Sequence, residues 1–416
     1  MMEKTSRIPG FYKLPIKERV KKVKEFAELN DEEEEILLSM DGLDSDTADR
    51  MIENVVGSMK MPLGIATNFL INGKDYLVPM AIEETSVVAA ASNAAKMARV
   101  KGGFRAKAGE PVMIGQIQIL DANENAMEEI EKHREEILEL ANAQDKILVS
   151  LGGGAKDMEV RKLSDEMLCV HLFVDVRDAM GANAVNTMAE ACAPLIEKIS
   201  GGRTLLRIIS NLADHRMVEA TAVFDRDTIG GSKVVDDMVH AYEFAALDIY
   251  RAATHNKGVM NGIDAVAIAT GNDWRAIEAG VHAYASIGGY KPFTKWEKNE
   301  DGNLVGSIKI PMAAGTIGGI TKVHPMARIS LKILGVKSSR ELAEVIASVG
   351  LAQNFAAMHA LSTKGIQDGH MRLHAKNIAV MAGAQGDEID RVAEVMASEG
   401  KIRMDRAKEI LDEIRK

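Results

Sequence analysis

The chain has 416 residues, 46% hydrophobic, enough for two or three domains with substantial cores. A formal net charge of −10 argues against general nucleic-acid binding, which needs a basic surface. Cys169 and Cys192 lie in apolar contexts without C-x-x-C spacing, no signal-peptide core opens the chain and no long uncharged apolar run follows, so a cytoplasmic protein with buried thiols and no membrane span is expected.

Residues 14–58 read as helical, with the acidic run Asp31–Glu35 starting a helix. NFLINGKDYLVPMA places a hairpin signal, Asn72-Gly73, between two apolar segments, and a helix follows from about Ser86 to Val100. Strand 112–120, helix 123–143, a triple glycine at 152–154, strand 168–176 and helix 182–199 then alternate, the pattern of a small α/β unit inserted in the chain. From Val235 to Ala253 the pattern is helical and ends near Lys257-Gly258; residues 259–288 carry little charge and should pack deep. Residues 293–311 read as a hairpin around Asp301-Gly302, followed by helices 339–350 and 352–362. The last segment, from about His370, is helical with breaks at Gly383–Gly386 and Gly400, and joins through Gly365 and Gly369, which read as a hinge.

Residues 168–188 are the most telling. The alternating Leu168, Val170, Leu172 and Val174 make a strand with one buried face, and the chain turns at Met180-Gly181 into an Ala/Asn-rich helix. A strand leading through Asp178 and a glycine into a helix N-terminus makes an anion or nucleotide site. No G-x-G-x-x-G follows a strand and no G-x-x-x-x-G-K-[ST] occurs, so the site belongs to neither common nucleotide-binding type.

Four polar residues stand among small or apolar neighbours. Glu84 is either an ordinary acid at a helix start or a proton donor where a strand ends; residue types alone favour the former. Lys257 is either a cation at a helix C-terminus before Gly258 or a fixed cation facing a substrate oxygen, and its charge-poor surroundings give the second reading weight. Asp273 is a helix cap or a carboxylate that orients Lys257. His370, with His374 four residues on, is a solvated pair or a general acid beside a glycine hinge; without H-E-x-x-H or a third ligand, no metal is expected.

These contexts together resemble the 3-hydroxy-3-methylglutaryl-CoA (HMG-CoA) reductases from about Arg7 to about Arg406. The matching segments are IENVVG (52–57), EETSVVAAAS (83–92), SLGGGAKDMEV (150–160), DAMGANAVNTMAEA (178–191), ISNLAD (209–214), RAATHNKGVMNGID (251–264), TGNDWRA (270–276), GLAQN (350–354) and GHMRLHAKN (369–377). The short form without membrane spans resembles the soluble class II enzymes; Thr85 stands where proline is common in the family.

The resemblance implies an α/β (α+β) fold: a large, mainly helical substrate domain (1–109 and 209–369), an inserted non-Rossmann cofactor domain (110–208) and a C-terminal helical flap (370–416). It implies reduction of HMG-CoA to mevalonate and coenzyme A with two NAD(P)H, through mevaldyl-CoA and mevaldehyde. Glu84, Lys257, Asp273 and His370 match the catalytic positions; Ser86, Asn211, Arg251, Asn261 and His374 match substrate-binding ones. Gly152, Gly153, Asp178, Met180, Gly181 and Asn183 match the cofactor site. Asp145 matches the position where NADH-using relatives carry an aspartate, which would accept from a ribose 2′-hydroxyl and repel a 2′-phosphate, so NADH is favoured and NADPH is the alternative. IENVVG matches the dimerisation motif, so a homodimer with shared active sites, or a trimer of such dimers, is expected. Competing readings are an NAD-linked oxidoreductase on the same scaffold acting on another acyl-CoA or hydroxy acid, and a nonenzymatic CoA-binding protein; the presence of all four catalytic matches opposes the last.

Overall fold

The structure, a computed structural model, describes residues 4–363 and 375–415 and contains two sheets. The strands are β1 (Leu63–Ile71), β2 (Lys74–Ala81), β3 (Phe104–Ala108), β4 (Val112–Leu120), β5 (Gly154–Ser164), β6 (Met167–Asp175), β7 (Arg203–Ser210), β8 (Met217–Phe224), β9 (Thr294–Lys298) and β10 (Leu304–Pro311). One sheet has the order β2-β1-β3-β8-β10-β9, the other β5-β6-β4-β7. β1 and β3 run parallel; all other neighbours are antiparallel.

Asn72 and Gly73 both have positive φ, 51° and 78°, as a two-residue hairpin turn between twisted strands requires. The Asn72 side chain exchanges two hydrogen bonds of 2.9 Å with the Ala106 backbone, which pins the hairpin to β3. The second expected hairpin is β9–β10, where Gly306 pairs with Trp296. A Cβ at Gly306 would lie 2.3 Å from the indole, so glycine is what lets Trp296 lie across the sheet. There Trp296 and Phe224 enclose Phe355, whose ring stacks on Phe224 at 3.7 Å between centroids.

Three helix readings need correction. The expected helix 123–143 is two helices, Ala126–Lys132 and Arg134–Asn142, interrupted at His133. The helix expected to end near Lys257-Gly258 instead breaks at Asp248, whose backbone is extended, and restarts as Ile249–Ala269. Asp248 caps this helix by accepting from the Arg251 N–H at 2.9 Å, so Lys257 and Gly258 lie mid-helix. Burial of Val259, Met260 and Ile263 outweighs the weak helix preference of Gly258. Helices 339–350 and 352–362 are one, Ser339–Ser362, with Gly350 inside it. A Cβ at Gly350 would lie 2.8 Å from Ile263, and one at Gly262 would lie 3.0 Å from the Val349 carbonyl. The two longest buried helices therefore cross almost backbone to backbone. Ser339–Ser362 is long and apolar enough to cross a membrane by composition, but 67% of its apolar window is buried, the mark of a core helix.

The smaller sheet is wholly antiparallel, and helix Ala182–Ser200 covers it: Val185, Met188, Cys192 and Ile196 meet Met113, Ile117, Val170, Leu172 and Val174. Both cysteines are buried thiols. Arg216, between β7 and β8, ties this unit to the rest. Its guanidinium donates to the Ala179 carbonyl at 3.0 Å, to that of Met180 at 3.3 Å, and to that of Ala314. Burial pulls its pKa down to about 10, against the pull of Asp175 and Asp178. At the C-terminus, residues 375–381, Asp387–Glu399 and Met404–Ile414 are helical and share their own apolar cluster, including Ala379, Val392, Met396 and Leu411. Gly400 caps the middle helix with φ 65°. The expected hinge at Gly365 and Gly369 lies outside the described residues.

Two stability changes are expected. Phe355→Ala should cost about 3–5 kcal/mol, read as a lower urea midpoint. Arg216→Met, which leaves three carbonyls without their donor, should lower the melting temperature through a loss of about 2–3 kcal/mol.

Candidate functional site

The chain leaves β2 at Ala81 and turns through residues 82–86 into helix Val87–Ala98. Ser86, at the start of this helix, takes a left-handed conformation with φ 72°, and its hydroxyl makes no hydrogen bond among the described residues. Glu84 lies in this turn. Its Oε2 accepts from Lys257 Nζ at 2.8 Å, which joins residues 173 positions apart. The Lys257 side chain is 61% exposed and that of Glu84 37%, so the pair stands open to water in the isolated chain. Asn261 and Asp264 lie four and seven residues beyond Lys257, on the same helical face.

Asp273 is placed differently from the expectation. It caps helix Trp274–Ser286 by accepting from the Ala276 N–H at 3.1 Å, and it pairs with Arg275 at 3.1 Å. Among the described residues it forms no ion pair with Lys257; the cap holds its carboxylate at the helix start. Asn211 is exposed after β7, and a Cβ at Gly280 would lie 2.5 Å from its carbonyl, so this loop packs on the Asp273 helix. Arg251 is half-buried, and desolvation holds its guanidinium pKa down. His370 and His374 lie outside the described residues.

Of the expected cofactor residues, Asp178, Met180, Gly181 and Asn183 lie at the start of helix Ala182–Ser200. Gly181, φ 102°, caps it without a side chain, and its first turn holds no acid. Its leading N–H groups and positive dipole end therefore fit an anionic phosphate. Asn183 is exposed in that first turn, and the Met180 carbonyl is held by Arg216. Asp178 holds the fold together here, since its Oδ1 accepts from the Ser339 N–H at 2.7 Å and its carbonyl from that of Thr316 at 2.8 Å. Gly152 is held by Arg177, which also pairs with Asp175 at 3.2 Å, and Gly153 packs on Leu148. Asp145 caps the short helix Lys146–Ser150, its Oδ1 accepting from the Leu148 N–H at 2.8 Å.

A cavity of about 1510 Å³ lies among the N-terminal segment, β1, helix Val87–Ala98 and residues 320–333, lined by residues including Arg7, Met61, Val88, Lys96 and Gly271. Glu84, Lys257 and Asp273 do not line it. Two features escape a reading of the sequence. Arg216 looks like any loop arginine until its burial is seen. Asp264 carries a legible signal, a lone acid in NGIDAVAIA seven residues after Lys257.

The site can be set beside known proteins. A family model for hydroxymethylglutaryl-coenzyme A reductase matches residues 15–375. The 3-hydroxy-3-methylglutaryl-coenzyme A reductase of Archaeoglobus fulgidus is 63% identical over 416 residues, 99% of this chain and 95% of its own. A probable enzyme of the same name from Borreliella burgdorferi is 38% identical over 341 residues, 79% of this chain and 77% of its own. The solved reductase of Streptococcus pneumoniae superposes with a TM-score of 0.84 at 40% identity, over 98% of this chain and 99% of that one. A structure of the class II enzyme from the same organism, bound to NADPH in open conformations, superposes at 0.82 with 40% identity, over 97% and 100%. With match and geometry together, the chain belongs to the hydroxymethylglutaryl-coenzyme A reductase family.

Proposed function

We propose that this protein reduces HMG-CoA to mevalonate and free coenzyme A, a four-electron reductive deacylation that is reversible. The observation that carries this reading is the 2.8 Å contact between Lys257 and Glu84 within the family's scaffold. A bound nicotinamide cofactor supplies hydride, once to the thioester carbonyl and once to the aldehyde. Gly181, Asn183 and Met180 would hold it, with its phosphates at the bare helix N-terminus.

Each reduction leaves negative charge on a carbonyl oxygen. The Lys257 ammonium stabilises that charge, most strongly where water is excluded. Glu84, in contact with Lys257 Nζ, supplies the proton that converts the alkoxide to a hydroxyl. Asp273, which caps the next helix and pairs with Arg275 in the resting geometry, would orient this pair by turning its carboxylate to Lys257. Between the two reductions the C–S bond of the hemithioacetal breaks, and the departing thiolate takes a proton from His370. Ser86, Asn211, Arg251, Asn261 and His374 hold the acyl-CoA.

The exposure of Lys257 and Glu84 makes a cover necessary. Two covers serve: a second copy of the chain, docking through the IENVVG segment where Ile52 is 64% and Val56 wholly exposed, and the flap at 370–416. The substrate domain then comprises 1–109 and 209–369, and the cofactor domain 110–208. We assign the enzyme to the cytoplasm, where its two thiols stay reduced. NADH is the favoured cofactor through Asp145, whose second oxygen is left by the helix cap to accept from a ribose hydroxyl.

Purified protein with HMG-CoA should oxidise two cofactors per mevalonate, read from the loss of NAD(P)H absorbance; no oxidation by folded protein would move the substrate to another acyl-CoA. Lys257→Ala should fold normally and lose at least about 10²–10³-fold in kcat. Asp145→Ala should shift the NADH-to-NADPH ratio of kcat/KM about tenfold toward NADPH, about 1.4 kcal/mol.

A further inference from the structure

Asp264 has a carboxylate oxygen, Oδ1, that is buried and has no donor among the described residues. A second carboxyl, Glu278 of helix Trp274–Ser286, lies in hydrogen-bonding reach of the Asp264 carboxyl. Two carboxylates cannot share such a contact unless one carries a proton, because like charges repel and burial disfavours both. Glu278 is already committed as the ionised partner. It pairs with His282 Nε2 at 2.8 Å, one turn along, and this contact holds its pKa below the usual carboxylate range. The proton therefore resides on Asp264.

The chain of contacts continues. His282 Nδ1 bonds the Tyr290 hydroxyl at 2.8 Å, with the rings nearly parallel and Phe293 edge-on to the imidazole. Tyr290 immediately precedes Lys291, whose carbonyl accepts from the fully buried Asn256 side chain; Asn256 also accepts from the Phe293 N–H, each at 2.9 Å. Asn256 immediately precedes Lys257. The array thus starts two turns beyond Lys257, crosses to the helix capped by Asp273, and returns beside Lys257. The other charged group on this face of helix Ile249–Ala269 is Lys257. The opposite side meets Val349, Gly350 and Gln353 of helix Ser339–Ser362, which carry no charge.

We propose that Asp264, protonated and donating to Glu278, is a positioning residue that locks the Lys257 helix to the Asp273 helix. The bridge is an O–H···O⁻ bond whose proton goes to solvent when it breaks, with no other bond made or cut. Burial and the neighbouring Glu278 raise the Asp264 pKa from 3.8 to about 8. The proton is therefore held through neutrality and lost as pH rises through that value. Two negative charges then face each other, and the helices that carry the reactive groups separate. This inference rests on the reductase reading for its kinetic arm only.

The test is a pair of variants with two readouts. Asp264→Asn, which keeps a donor and cannot ionise, should hold kcat at neutral pH within about threefold of the parent and abolish its alkaline fall. Asp264→Ala should lower kcat at least about tenfold with KM little changed. Independently of turnover, difference infrared spectra between neutral and alkaline pH should show the parent losing a protonated-carboxyl band that Asp264→Asn lacks. A profile for Asp264→Asn that superposes on the parent's, or a parent without that band, would overturn the proposal. Absence of turnover in the parent, with the band present, would instead fault the reductase reading.

Discussion

The crossing of Gly262 and Gly350 is the constraint on which the rest depends. Each glycine admits the other helix's backbone or a branched side chain to within 3.0 Å of where a Cβ would sit, closer than nearly all Cβ contacts. One helix carries Lys257, Asn261 and Asp264. The other is anchored at its N-terminus through Ser339, whose N–H binds Asp178 and whose hydroxyl binds the Arg177 carbonyl at 2.9 Å. The close crossing therefore fixes the Lys257 helix against an element that also reaches the loop before helix Ala182–Ser200. Arg216 ties that same loop to the segment after β10. Shape and a few buried polar contacts, rather than surface ion pairs, hold the two halves in register; exposed pairs contribute little.

Much of this is legible in the residues, for stated reasons. The Asn72-Gly73 turn, the β9–β10 hairpin and the helix after Gly181 carry local rules that tertiary packing leaves intact. The strands β3, β5, β7 and β8 are not legible in the same way. β5 is rich in charge and mostly exposed, and β7 is an edge strand whose Leu205, Leu206 and Ile208 face outward, so neither shows clean alternation. Gly258 mimics a helix stop and hides the continuation of the Lys257 helix, while the interior glycine of helix Ser339–Ser362 serves a packing contact and not a break.

At the site, residue types alone leave Glu84 an ordinary helix-start acid; the family context singles it out, and the geometry sets it against Lys257. The link from Asp273 to Lys257 is absent from the resting geometry, since the cap and Arg275 occupy that carboxylate. Spacing along a chain indicates which residues share a helix face, but not which of two acids from different elements reaches a given lysine. His255 carries the same lesson in reverse. Two residues before Lys257, it is a core histidine bound to Thr294, and burial pulls its pKa down to about 3.

Ser86 holds a backbone conformation that glycine adopts freely and other residues adopt at a cost of about 1 kcal/mol. Its hydroxyl takes no part in the fold's hydrogen bonding among the described residues. Selection for thermal robustness alone would favour glycine there; the substrate contact proposed for Ser86 would be what keeps the oxygen. With that proposed contact, Ser86 would be a place where durability and catalysis pull in opposite directions.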